Sequence, residues 1–391
     1  MDWNTLKSLV PPVGGSYDWP LLCEMVPALV ALEATPQDPH HHAEGNVGIH
    51  TRMVLDALLD DPDWQAAAPD RRAVMFIAAQ LHDIAKPATT VIDEATGAVR
   101  QPGHSRRGAV DARILLWRLG MPFALREAVC RIIAVHQLPF FAFASRRGES
   151  PEYLVRRLSW ELDVSELTCV ARADMRGRAC TDQASHLADI ALFAELAHEQ
   201  GCWNQPWLAA DAHTRLMYAR GMAIDPGFAL YQKPGSAVTL MCGMPASGKD
   251  TWVARHAPDL PVVSFDDAKR RLGLRHGEND GMAAHHAIDQ AKALLREQRP
   301  FVWNATHLSQ DMRGKSLDLL YAYDACVRIV YLEVPQATVF SRNSQRDSTL
   351  SNKDLARMLH RWEVPLPWEA HALHYQPGAD ANTQGGAHVM R

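Results

Sequence analysis

The chain has 391 residues, 47% of them hydrophobic and 22% charged, with a formal net charge of -5. That length is too great for one ordinary core and suits two domains. The acidic balance excludes a protein that coats duplex nucleic acid by bulk electrostatics, but not an enzyme that grips a few phosphates at a strand end. Seven scattered cysteines with no CxxC pair favour a reduced, cytoplasmic protein over a disulfide framework or a cysteine zinc site. The first twenty residues lack a basic run followed by an apolar run, and no apolar stretch is long enough to cross a bilayer. Neither a signal peptide nor a membrane partner is expected.

In chain order, the first half reads as helices. Apolar residues recur at helical spacing in VGIHTRMVLDALL, DRRAVMFIAAQLHDIA, SRRGAVDARILLWRLG, ALREAVCRIIAVH, SELTCVARADM and HLADIALFAELAHE. Strand-like runs are nearly absent before Ser236. The stretch Asp225–Ser236, with two prolines and two glycines, reads as a linker. Beyond it the pattern changes. Ala237–Cys242, Pro261–Phe265, Phe301–Thr306 and Cys326–Val334 are short, apolar and rich in β-branched residues, and helical segments alternate with them. The expected fold is multidomain: an all-α helical domain over 1–225, a linker at 226–236, an α/β domain with a parallel sheet over 237–375, and a mobile tail at 376–391.

The helical half holds a set of candidate metal ligands. His82-Asp83 follows a mostly apolar helix, where a charged pair needs partners. His50, His104, His136 and Asp174 each lie on or beside a predicted helix, and a helical bundle can project such groups into one site. Imidazole with carboxylate suits a transition metal such as Mn, Ni, Co, Fe or Zn. The set is large enough for two ions, with Asp83 bridging and a metal-bound water as nucleophile. Among 19 histidines some fall on helices by chance, so His285, His286, His360 and His371 are set aside.

In the second half, Gly243-Met-Pro-Ala-Ser247-Gly248-Lys249-Asp250-Thr251 follows a predicted strand and opens a predicted helix, the context of a phosphate-binding P-loop. Glycines let backbone N–H groups face phosphates, and Lys249 reaches the β- and γ-phosphates of ATP or another nucleoside triphosphate. The residue after the lysine, usually a hydroxyl that binds magnesium, is Asp250. A carboxylate can also bind magnesium, whereas Thr251 lies one residue farther on. Asp266, at the end of the second strand, is the candidate general base, with a helix cap as the bland alternative. Lys269 or Arg270 is placed to hold an acceptor phosphate. Arg342 and Arg346, four apart on one helix face, are candidates for a lid over the nucleotide.

Two resemblances follow. Ala237–Tyr375, through GMPASGKDTW, SFDDAKRR, NATHLSQDMR, FSRNSQR and RWEVPLPWEAH, resembles the P-loop polynucleotide kinase family, which phosphorylates 5′-hydroxyl ends. The resemblance implies Asp266 as the general base and puts Lys269 where the family has an arginine. Pro39–Arg178, through HHHAEGNVGIHTRMV, LHDIAKP, GHSRRGA, AVHQLPF and RADMRGR, resembles the HD phosphohydrolase superfamily, especially the HD domain of some bacterial tRNA nucleotidyltransferases. It implies a core metal site of His50, His82, Asp83 and Asp174, a second position at His104 and His136, and Lys86 against substrate phosphate. Ser105 stands where that superfamily has a glutamate supporting the neighbouring histidine. The order of the two regions resembles the bacterial HD-Pnk family, an HD phosphohydrolase fused to a polynucleotide kinase that heals RNA ends. That implies RNA or DNA strand ends as substrates, ATP with Mg for the kinase, and a separate RNA ligase as partner. Two other functions stay open: a nucleotide-metabolism enzyme with a nucleotidase and a small-molecule kinase, or an ATP-sensing P-loop module that regulates the hydrolase.

Overall fold

The computed structural model describes residues 2–144, 148–274, 278–345 and 350–378. The chain forms two compact units, Met1–Trp207 and Leu208–Arg391.

The first unit is built on six longer helices: α1 (Val47–Leu59), α2 (Pro69–Leu81), α3 (His104–Arg118), α4 (Phe123–Val135), α5 (Val164–Arg176) and α6 (Gln183–Glu199). Side-chain caps set two starts: Asn46 accepts from the Ile49 N–H, and Asp163 from that of Ser165. Every residue of α2 from Ala73 to Leu81 is buried. A helix apolar all round belongs at the centre of a bundle, and α2 packs against α1, α4 and α5. The end of α2 therefore delivers His82 and Asp83 into the interior. Gly177, just past α5, sits so close to α1 that a Cβ there would lie 2.6 Å from Val54 Cγ2 and 2.7 Å from Val54 N. That close approach brings the middle of α1 beside the end of α5. A two-rung antiparallel hairpin, β1 (Val91–Ile92) and β2 (Val99–Arg100), joins the HD turn to α3. These strands are too short to leave a periodic signal.

The second unit holds a five-stranded, all-parallel sheet in the order β4-β5-β3-β6-β7. The strands are β3 (Ala237–Cys242), β4 (Val262–Ser264), β5 (Phe301–Asn304), β6 (Cys326–Glu333) and β7 (Ala372–Pro377). Central β3 is buried from Val238 to Cys242, which is why it reads as a continuous apolar run. Helices α8 (Lys249–His256), α9 (Phe265–Leu272), α10 (Asp280–Arg296), α11 (Gln310–Tyr321), α12 (Gln336–Ser344) and α13 (Asn352–Leu359) fall between the strands. The chain leaves β3 for one side of the sheet and later returns to its other side. The carboxyl end of β3 is thus a switch point, where open α/β sheets bind ligands.

Two expectations change. The units divide after Trp207, upstream of the expected linker. Helix α7 (Ala212–Ala219) and the stretch after it belong to the α/β unit, since Arg220 pairs with Asp318 at 2.7 Å and Leu230 N donates to Thr214 Oγ1. The sheet runs on through β7, so Gln376 and Pro377 are strand residues rather than tail; residues 379–391 lie outside those described. All seven cysteines are free, and among the described residues no helix is long and apolar enough to cross a membrane.

Candidate functional sites

In the helical unit, five chain segments converge on one buried cluster. His50 comes from the first turn of α1, His82 and Asp83 from the end of α2, His104 from the start of α3, His136 from the end of α4, and Asp174 from α5. All six are buried. His50 Nε2 lies 3.1 Å from Asp174 Oδ1 and 3.3 Å from His82 Nε2. His82 Nε2 is 3.1 Å from Asp83 Oδ2, His104 Nε2 is 3.4 Å from Asp83 Oδ1, and His136 Nε2 is 3.8 Å from Asp174 Oδ2. The six proposed ligands are thus brought together.

The second ring nitrogens show what the cluster is arranged for. Nδ1 of His82, His104 and His136 faces the carbonyls of Ala79, Gln101 and Ile133 at 2.7, 2.8 and 2.8 Å, and Nδ1 of His50 faces that of Gly177 at 3.1 Å. A carbonyl only accepts, so each Nδ1 carries the proton and each Nε2 turns its lone pair inward. His104 therefore has a backbone partner although Ser105 replaces a glutamate. The interior of the cluster is left short of partners. His136 Nε2 and both Asp83 oxygens are buried without a well-formed hydrogen bond among the described residues, although Lys86 Nζ lies 2.7 Å from Asp83 Oδ2. Orphaned buried acceptors around converging imidazoles fit one or two transition-metal ions. Burial pushes the His136 imidazole down to about 3, which keeps it a neutral ligand. Burial opposes ionisation of Asp83 and Asp174 too. The His82 imidazole and the Lys86 ammonium beside Asp83, and the Arg178 guanidinium beside Asp174, hold both well below the usual carboxylate range.

Lys86 is buried and donates to Gln37 Oε1 at 2.7 Å. Four supporting residues were not singled out from the sequence: Gln37, His42, Glu44 and Arg178. Arg178 binds both oxygens of Asp174 at 2.9 Å. The last three sit inside the very segments that carry the resemblance, but nothing in their spacing assigns them contacts.

In the α/β unit the P-loop lies between β3 and α8. Gly243 has φ +144° and Gly248 has φ +99°, values that favour glycine. A Cβ on Gly243 would lie 2.3 Å from the carbonyl oxygen of Leu332 in β6. Lys249 is buried and curls back, donating to the carbonyls of Gly243 and Met244 at 3.0 and 2.8 Å. The Ser247 hydroxyl is buried in the loop without a partner among the described residues. Asp250 and Thr251 are exposed, and Asp250 Oδ1 accepts from Asn304 Nδ2 at 2.7 Å.

Asn304 also lines a pocket of about 530 Å³, shared with Phe265, Asp266, Lys269, Trp303 and Lys315. The pocket thus abuts the P-loop. Ser264 caps α9 by accepting from Asp267 N, so the cap belongs to Ser264 and not to Asp266. Lys269 reaches the pocket and pairs with Asp280 at 2.5 Å. Arg270 does not line it; its side chain is 78% exposed and pairs with Asp267. Arg342, on α12, approaches the loop: a methyl on Gly248 would lie 3.9 Å from its Nη1. Arg346 lies outside the described residues. Lys315, a second pocket cation, was not singled out in the sequence; one lysine in an ordinary amphipathic helix carries no signal.

Residues 238–365 match a family model described as an AAA domain. The chain is 35% identical over 127 residues to the multifunctional CCA protein of Halorhodospira halophila, covering 32% of this chain and 28% of that protein. It is 30% identical over 172 residues to the protein of the same name from Laribacter hongkongensis, covering 42% and 38%. It spans less than half the length of these relatives. Among solved structures, a gluconokinase from Sinorhizobium meliloti aligns with 38% of this chain and 86% of its own, at 18% identity and a TM-score of 0.27. The architecture is a helical unit followed by a P-loop α/β unit.

Proposed function

We propose that the chain is a bifunctional enzyme that heals nucleic-acid ends, RNA in the first place. The observation that carries the reading is the presence, on one chain, of a buried four-histidine, two-aspartate cluster and a P-loop beside a pocket holding two carboxylates and two lysines. Opening or removing a 2′,3′-cyclic, 2′- or 3′-phosphate and phosphorylating a 5′-hydroxyl together yield ends that a separate RNA ligase can seal.

In the hydrolase, His50, His82, Asp83 and Asp174 would hold one transition-metal ion, and His104 and His136, with Asp83 shared, a second. Bound there, such ions supply a hydroxide at neutral pH and Lewis acidity toward phosphoryl oxygen. The chain's own contribution is the set of fixed tautomers described above. Lys86, beside Asp83, adds positive charge where a phosphate would approach. In the kinase, the loop backbone and Lys249 would hold the phosphates of ATP or another nucleoside triphosphate, with Mg. Asp266 would accept the proton of the attacking 5′-hydroxyl, Lys269 would steer the acceptor, and Arg342 would neutralise charge on the transferred group.

The test uses the purified protein with ATP and magnesium. Acceptors are a 5′-hydroxyl RNA oligonucleotide and free nucleosides, offered separately. The oligonucleotide is the expected acceptor. Preferential transfer to nucleosides would refute end healing in favour of a small-molecule kinase. Nucleotide binding without any transfer would make the P-loop a sensor.

A further inference from the structure

The four cluster histidines are not held alike. Three of them present Nδ1 to a backbone carbonyl alone. His50 Nδ1 has a carbonyl too, but it also stands 3.0 Å from Oε1 of Glu44. Glu44 is built into the fold and is no passing neighbour. Its side chain is 2% exposed, the same Oε1 contacts His42 Nδ1 at 2.8 Å, and Oε2 accepts the Ala179 N–H at 2.8 Å. Ala179 follows Arg178, which grips Asp174. One loop carboxylate thus ties His50 to the segment that carries the opposing ligand.

We propose that Glu44 is a positioning residue that makes the two cation positions of the cluster unequal. The position at His50 and Asp174 is the tight one and fills first; the position toward His104 and His136 fills second. A carboxylate behind an imidazole fixes the ring and raises the basicity of the nitrogen that faces the metal, and removing such a partner typically costs 10- to 100-fold in metal affinity. A neutral carbonyl does this less well, because it brings no charge. The inference rests on reading the cluster as a metal centre, and it assigns that centre an order of loading.

The experiment titrates chelator-stripped protein with Mn²⁺ or Co²⁺, in calorimetry and in competition with a chromophoric chelator. Wild type is expected to show two affinity classes. Glu44→Gln keeps the shape and an acceptor oxygen but removes the charge. It should weaken the tighter class about 10- to 100-fold and leave the weaker class in place. Because Oε1 and Oε2 both accept, glutamine also loses one acceptor, and thermal unfolding of the metal-free variant reads that structural cost separately. Glu44→Asp keeps the charge but withdraws it by one methylene. It should weaken the same class, and it serves as the test if the glutamine variant does not fold. Unchanged tight-class affinity in a folded variant, or a loss confined to the weaker class, overturns the proposal. If wild type binds neither ion, the metal-centre reading itself fails, which the wild-type titration alone reveals.

Discussion

Gly243→Ala makes the sharpest demand on the P-loop. At φ +144° a side chain is strained whatever the space around it, and here the new Cβ would also meet the Leu332 carbonyl oxygen at 2.3 Å and Ser247 Oγ at 3.0 Å. The hydroxyl can rotate away. The carbonyl belongs to β6, which pairs with β3 along its length, so it moves only if the sheet moves. Backbone strain of this kind costs about 1–3 kcal/mol, and overpacking against fixed neighbours adds about 1–3 kcal/mol. Taking a total of about 3 kcal/mol, a unit of this size should melt roughly 6–12 °C lower. Relief by shifting the loop would misplace the N–H groups that face phosphate, so ADP binding should weaken by about tenfold or more. Calorimetric unfolding and ADP titration on the same preparation read both effects. A variant that melts within 2 °C of wild type and binds ADP equally well, where roughly 6 °C or more is required, would refute the loop geometry and the phosphate role together.

Other outcomes follow from the same unit. His307 is buried, its Nδ1–H donates to the Met241 carbonyl at 2.8 Å, and burial pushes its imidazole down to about 4. Unfolded histidine protonates near 6.5, so stability is full above that pH. It falls by about 1.4 kcal/mol per pH unit toward 4, about 3 kcal/mol in all. His307→Asn, a residue that tolerates the observed φ of +44°, should flatten that slope in urea unfolding between pH 7 and 4.5; an unchanged slope would show that His307 is not the titrating group. Arg313 is fully buried, bonds both oxygens of Glu369 at 2.8 and 2.9 Å, and caps the carbonyls of His307 and Glu363. Arg313→Met strands the carboxylate and should cost about 3–5 kcal/mol. Adding Glu369→Gln should recover part of this in a double-mutant cycle, and strictly additive losses would contradict direct coupling.

Much of this was legible in the sequence where side-chain chemistry and local pattern coincide. The buried strands β3 to β6 are β-branched runs, so their apolarity declares them. β7 does not: ALHYQP is half-buried at one edge of the sheet, and only pairing with β6 makes it a strand. The unit boundary was misplaced for a related reason. The helix at Ala212–Ala219 is assigned by partners more than 90 residues away in sequence, such as Asp318 for Arg220. The six residues of the buried cluster were readable because histidine and aspartate are rarely buried without cause. Glu44 was not, because its partner Ala179 lies 135 residues on. Asp266 could not be separated from a helix cap until the structure showed Ser264 in that place.

The most direct measurement follows both ends of one RNA bearing a 5′-hydroxyl and a 2′,3′-cyclic phosphate, incubated with ATP, magnesium and a transition-metal ion. Wild type should phosphorylate the first end and clear the second. Lys249→Ala should lose only phosphorylation, and Asp83→Ala only phosphate removal. A wild-type protein that acts on neither end, or a folded single variant that loses both activities, would contradict two separate catalytic sites serving one repair.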